Sequence, residues 1–141
     1  MKSYVSKSAK ETQFFAQDLV KEFISISKHI FFLLEGTLGV GKTQFVKGVA
    51  KGLNFSHKNI HSPTFVFITD FTKKKLILYH IDFYRIEKKY LSEILVDHIE
   101  EIQNYVKQKT VSCIEWANKL NKNFFHQLAR ENNEIIFIKV K

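Results

Sequence analysis

The segment Gly36-Thr37-Leu38-Gly39-Val40-Gly41-Lys42-Thr43 carries the most specific chemistry in the sequence. It matches the G-x-x-x-x-G-K-[ST] pattern in full, with an apolar run before it and a helical pattern after it. Such a loop solves one problem: it neutralises the several negative charges of a nucleoside triphosphate without trapping them. Successive backbone N–H groups in a tight glycine-rich turn point inward and form an anion nest. Gly36, Gly39 and Gly41 allow torsions and a close approach that side chains would block. The helix that opens near Lys42 adds the positive end of its dipole. The Lys42 ammonium is expected on the β- and γ-phosphates, and the Thr43 hydroxyl on a Mg²⁺ ion bridging the same two.

A metal-bound triphosphate needs further oxygen donors and a group that aims water or an acceptor. Asp82 closes the apolar run that starts at Leu76, and Glu115 closes the run that starts at Val111. In an open α/β sheet, ligands gather at the carboxyl ends of strands. Both acids are therefore expected at the loop, either one holding the metal directly or through water. Trp116 either packs beside the nucleotide or fills core. Thr64, in Ser62-Pro63-Thr64, is either a turn cap or a switch threonine facing the γ-phosphate. His80 alternates with Asp82 on one strand face; it reads as a polar strand residue, with Asp82 or a phosphate in reach. His57 and His61 are four apart but have neither a third ligand nor a helix, so zinc is not expected.

These residues need elements to position them. Residues 8–26 read as a helix with Ser8 as N-cap and Glu11 completing a capping box. Phe15, Leu19 and Phe23 form its expected buried stripe. Ile30 to Leu34 reads as a strand buried on both faces. Residues 43–51 read as a second helix, with Gly52 where a terminating glycine is usual. Phe65–Asp70 and Leu76–Asp82 read as an antiparallel hairpin around a turn at 71–75. A helix is expected over 90–107, strands over Val111–Glu115 and Glu134–Val140, and between them a loop with a short helix near Phe124–Leu128. The expected architecture is an α/β three-layer, P-loop NTPase-like fold. Its central sheet is mixed and mostly parallel, with an antiparallel hairpin, in one domain over residues 1–141.

Composition agrees. The chain has 45% apolar and 26% charged residues, an ordinary balance for a soluble domain. No apolar run approaches the ~20 residues of a membrane helix. No secretory leader is expected from the polar N-terminal residues. The single cysteine, Cys113, excludes an internal disulfide and a multi-cysteine metal site and suits a reducing cytoplasm. The net charge of +8 comes almost wholly from lysine, with arginine only at 85 and 130. A base-reading surface needs the bidentate geometry of arginine, so no DNA partner is expected, and without a long apolar run no membrane is expected either.

The order Gly36–Thr43, Ser62-Pro63-Thr64, His80-Ile81-Asp82-Phe83-Tyr84-Arg85 and Ile114-Glu115-Trp116 resembles the TsaE family, also called YjeE. The likeness runs from about Ser8 to Trp116. It implies a slow Mg²⁺-dependent ATPase of the bacterial tRNA threonylcarbamoyladenosine pathway, with ATP and Mg²⁺ bound. TsaB and TsaD are the implied partners, with tRNA met only through that complex. The resemblance also implies site roles. Lys42, Asp82 and Glu115 would be catalytic. Gly39, Val40, Gly41, Lys42, Thr43 and Gln44 would hold phosphate, with Thr64, Trp116 and Thr12 (the last near adenine) also on the nucleotide. Thr43, Asp82 and Glu115 would serve the metal. Thr37 and Val40 depart from the usual family residues, at variable positions of the loop. A small-molecule P-loop kinase is the alternative. Such kinases use several arginines to steady the transferred phosphoryl group, and this chain has two.

Overall fold

A computed structural model describes residues 5–37, 39, 41–61, 67–105, 107–121, 123–124 and 133–140. Val40, Thr64, Val106, the expected strand start at Phe65 and most of the expected helix at 124–128 lie outside them.

Helix α1 spans Ala9–Ile24. Ser8 Oγ accepts the Glu11 amide at 3.1 Å, as expected of the cap. The Glu11 carboxylate, however, reaches past Ser8 to the Lys7 amide at 2.7 Å. The buried face centres on Ala16 and Val20, while Phe15, Leu19 and Phe23 are half-buried at its flank. The cause is helix α2, Lys42–Gly52, which turns Gly48 and Gly52 toward α1. A Cβ on Gly48 would collide with the Gln13 backbone. One on Gly52 would lie 2.5 Å from Val20 Cγ1 and 2.8 Å from the Gln17 carbonyl. The two helices meet almost backbone to backbone, so small Ala16 takes the centre and the phenyl rings splay aside. Gly52 is therefore a packing glycine and the last helical residue; the left-handed position after the helix is Asn54, at φ 62°.

The strands are β1 His29–Glu35, β2 Ile68–Lys73, β3 Leu76–Asp82, β4 Lys109–Glu115 and β5 Glu134–Lys139; helix α3, Lys88–Gln103, joins β3 to β4. They form one sheet in the order β2-β3-β4-β1-β5. The last four are parallel, and β2 pairs antiparallel with β3. This is the mixed, mostly parallel sheet with one hairpin that the sequence predicts. The hairpin is tighter than expected. Residues 71–73 belong to β2, and only Lys74 and Lys75 turn, Lys74 at φ 56°. Phe71 explains the shift: it pairs with Leu78 and packs on the core beneath α1 and α2, so it cannot be a turn residue.

Two cores lie on opposite faces of the sheet. Ile30, Phe32, Leu34, Leu78, Val111 and Cys113 face α1 and α2. Phe31, Leu33, Ile77, Tyr79, Ile81 and Ile114 face α3 through Leu91, Leu95 and Ile99. β1 is buried on both faces, as its unbroken apolar run requires. Register then decides the site. Glu115 aligns with Asp82 on one side and Leu34 on the other, so both acids end beside the loop that leaves β1.

Candidate functional site

In the loop between β1 and α2, Gly39 (φ 80°) and Gly41 (φ 111°) hold left-handed torsions. A Cβ at Gly39 would meet nothing within 4 Å, so torsion rather than crowding calls for glycine there. α2 has no side-chain cap. Its N-terminal amides form the anion-binding end of a helix.

Lys42 is buried at 5% exposure. Its Nζ donates to the Gly36 carbonyl at 2.6 Å and the Thr37 carbonyl at 2.7 Å, and lies 4.2 Å from the centre of the Trp116 ring. Burial pulls the ammonium pKa down, against the upward pull of Glu115 and Asp82. Backbone dipoles and a ring face thus hold the cation inside the loop.

Thr43 Oγ1 donates to Glu115 Oε1 at 2.8 Å. Asp82 Oδ1 accepts the Tyr84 amide at 2.9 Å. Both carboxylates are buried, and two such neighbours cannot both ionise cheaply. Burial lifts the Asp82 pKa to about 6; the Tyr84 amide opposes that rise and the Glu115 charge adds to it. Burial also pushes Glu115 up, but His80, the Thr43 hydroxyl and Asp82 together outweigh it, and its pKa falls. Of the two, Asp82 is the first to take a proton as pH falls, while Glu115 keeps its charge.

The donor set suits Mg²⁺. One hydroxyl and two carboxylates are hard oxygen ligands, and Mg²⁺ is usually held by one or two carboxylates with phosphate oxygens and water. Among the described residues, no cluster of three or more His, Cys, Asp or Glu could hold a metal unaided. His57 sits in a single 3-10 turn, His57–Asn59, and among the described residues neither it nor His61 joins a group of three or more His, Cys, Asp or Glu.

Trp116 has the left-handed φ of 63°, a strained conformation for a bulky residue. Its ring is half-buried, 5.1 Å from the Tyr84 ring. With Glu35, Gly36, Thr37, Asn118, Lys139 and Val140 it borders a cavity of about 400 Å³. Lys119, which carried no signal in the sequence, ties the loop after β3 to the loop after β4. Its Nζ donates to the Phe83 carbonyl at 2.9 Å and the Tyr84 carbonyl at 2.7 Å. Two residues expected on the nucleotide have side chains hydrogen-bonded to neighbours. Gln44 Oε1 accepts Gln13 Nε2 at 2.7 Å, which turns its side chain to α1. Thr12 Oγ1 is 2.7 Å from Ser6 Oγ and 3.2 Å from the Ser8 carbonyl, within the start of its own helix. Cys113 is buried, and burial raises its thiol pKa far above the ordinary range. His80 is fully buried with Nε2 3.4 Å from Glu115 Oε2. Its alternation with Asp82 was the signal for that place.

Residues 6–140 match the family described as threonylcarbamoyl adenosine biosynthesis protein TsaE. Curated relatives carry the name tRNA threonylcarbamoyladenosine biosynthesis protein TsaE. That of Nostoc sp. PCC 7120 is 42% identical over 92 residues, 62% of this chain and 52% of the relative. That of Bacillus subtilis 168 is 38% identical over 103 residues, 73% of this chain and 58% of the relative. That of Aquifex aeolicus is 31% identical over 124 residues, 87% and 91% of the two chains. The chain thus spans little more than half the length of the first two and nearly all of the third. A crystal structure of Bacillus subtilis YdiB superposes with a TM-score of 0.53 at 28% identity, over 95% of this chain and 73% of that one.

Proposed function

The chain belongs to the TsaE family, and from that premise we propose that it is a Mg²⁺-dependent P-loop ATPase of tRNA threonylcarbamoyladenosine biosynthesis that acts on a TsaB–TsaD complex. One observation carries the reading: Thr43 of the phosphate loop is hydrogen-bonded to Glu115, whose register partner is Asp82, at the carboxyl ends of adjacent strands. Generic α/β turns do not bring two buried acids to a Gly-Lys-Thr helix start.

In this reading the loop amides and Lys42 bind the β- and γ-phosphates. Lys42 does so by exchanging its Gly36 and Thr37 carbonyls for phosphate oxygens. Thr43, Glu115 and Asp82 would hold Mg²⁺, which would supply charge neutralisation on the phosphates. Asp82 would meet the metal as a carboxylate, and its hydrogen bond from the Tyr84 amide ties it to the exposed loop at 84–85. Trp116 and the adjacent cavity take part of the nucleoside. Arg85 is exposed on the same loop, so intrinsic hydrolysis is slow until a partner completes the site.

The experiment is capture of TsaB and TsaD by the chain in ATP and in ADP, with hydrolysis measured in parallel. ATP-dependent capture with stimulated turnover supports the reading. Stoichiometric phosphoryl transfer to a metabolite, with no capture, replaces it with a kinase.

A further inference from the structure

His80 lies on β3 one alternation before Asp82, on the face opposite Tyr79 and Ile81 and therefore toward α2. It is 0% exposed, and among the described residues neither ring nitrogen has a hydrogen-bond partner. The contact of Nε2 with Glu115 Oε2, 3.4 Å, is longer than a formed hydrogen bond. The other oxygen of that carboxylate takes the Thr43 hydroxyl. Buried polar groups in folded proteins are almost always paired. An imidazole on a face shared with Leu78 and Cys113, where an aliphatic residue would pack, therefore calls for a reason.

We infer that His80 is a positioning residue for Glu115: its Nε2–H faces Oε2 and orients the carboxylate so that Oε1 is presented to Thr43 and the metal side of the loop. A bare Nε2 would set its lone pair against those of the carboxylate, so the hydrogen belongs on Nε2. Outer partners of this kind commonly orient metal-binding carboxylates, and their removal typically costs 10–100-fold in metal affinity. The inference rests on the proposed role of Glu115 toward Mg²⁺.

The test uses Mn²⁺ as a paramagnetic probe on the full chain with ADP, and calorimetry of ADP without metal. His80→Leu lowers Mn²⁺ affinity of the ADP complex at least about tenfold and leaves metal-free ADP affinity unchanged. His80→Gln, which keeps a donor near the Nε2 position, recovers most of the loss. Unchanged Mn²⁺ affinity in folded His80→Leu overturns the inference. So does an equal loss in both variants, which is the mark of packing alone. Should the variants not fold, ¹⁵N resonances of the wild-type imidazole decide. Nε2 carrying the hydrogen, with shifts that move in Glu115→Gln, supports the role; hydrogen on Nδ1 alone overturns it. A wild-type chain that takes up neither ADP nor Mn²⁺ with ADP fails the proposed function itself.

Discussion

The two faces of the sheet each bury a histidine, and the pair separates burial from function. On the α3 face, His98 Nε2 lies 2.8 Å from Ser112 Oγ. Tyr79 and Phe31 stand edge-on to its ring, at centroid distances of 4.5 and 6.3 Å. The Nε2 of that imidazole has a partner, and its ring is enclosed by aromatic side chains. On the α2 face, His80 is as deeply buried but lacks a formed hydrogen bond among the described residues and looks at a carboxylate. The first histidine belongs to packing. The second sits where a fold optimised only for stability would place an aliphatic residue.

The largest effect that sharpens this contrast is on the α2 face. Lys42→Ala is expected to cut ATP turnover more than about a hundredfold, with little change in the thermal midpoint. A turnover assay beside a melting curve measures both. A matching loss from His98→Leu would break the comparison, since that residue should leave turnover alone.

The next effect is on stability. Ser112→Ala strands the His98 nitrogen in an apolar layer and is expected to cost about 1–3 kcal/mol in denaturant unfolding. The double change His98→Leu with Ser112→Ala costs less than the sum of the two single changes, because no polar atom is left unpaired. ATP hydrolysis is unaffected throughout.

The smallest effect is in the pH dependence of folding, where the two faces oppose each other. Burial holds the His98 pKa at about 4, below its unfolded value. Its contribution is therefore present at neutral pH and lost as pH falls from 6.5 toward 4. Burial holds Asp82 at about 6, above its unfolded value. Its contribution runs the other way: it is present near pH 4 and lost as pH rises through 6. In metal-free protein the two partly cancel. Unfolding from pH 4 to 7 should show a steeper loss on acidification in Asp82→Asn and a shallower one in His98→Leu.

The sequence made the site more legible than the packing around it. Gly39, Gly41, Lys42 and Thr43 were readable because their spacing follows from phosphate chemistry. Asp82 and Glu115 were readable because each ends an apolar run, and parallel register then sets them side by side. The exact contact face of α1 was not readable: it depends on Gly48 and Gly52 of another helix, a tertiary fact. The hairpin was displaced for the same reason, since only core contact keeps Phe71 out of the turn. Lys119 ties together two loops through backbone carbonyls, and carbonyls leave no trace in a sequence. His80 was visible as a strand residue beside an acid, but the lack of a partner that marks it out exists only in three dimensions.

The most direct measurement of the central claim is calorimetric titration of the wild-type chain with a non-hydrolysable ATP analogue, with and without Mg²⁺. The account predicts one site whose affinity rises with Mg²⁺, and loss of that Mg²⁺ effect in Glu115→Gln. Absence of nucleotide uptake, or uptake indifferent to both Mg²⁺ and Glu115, would contradict it.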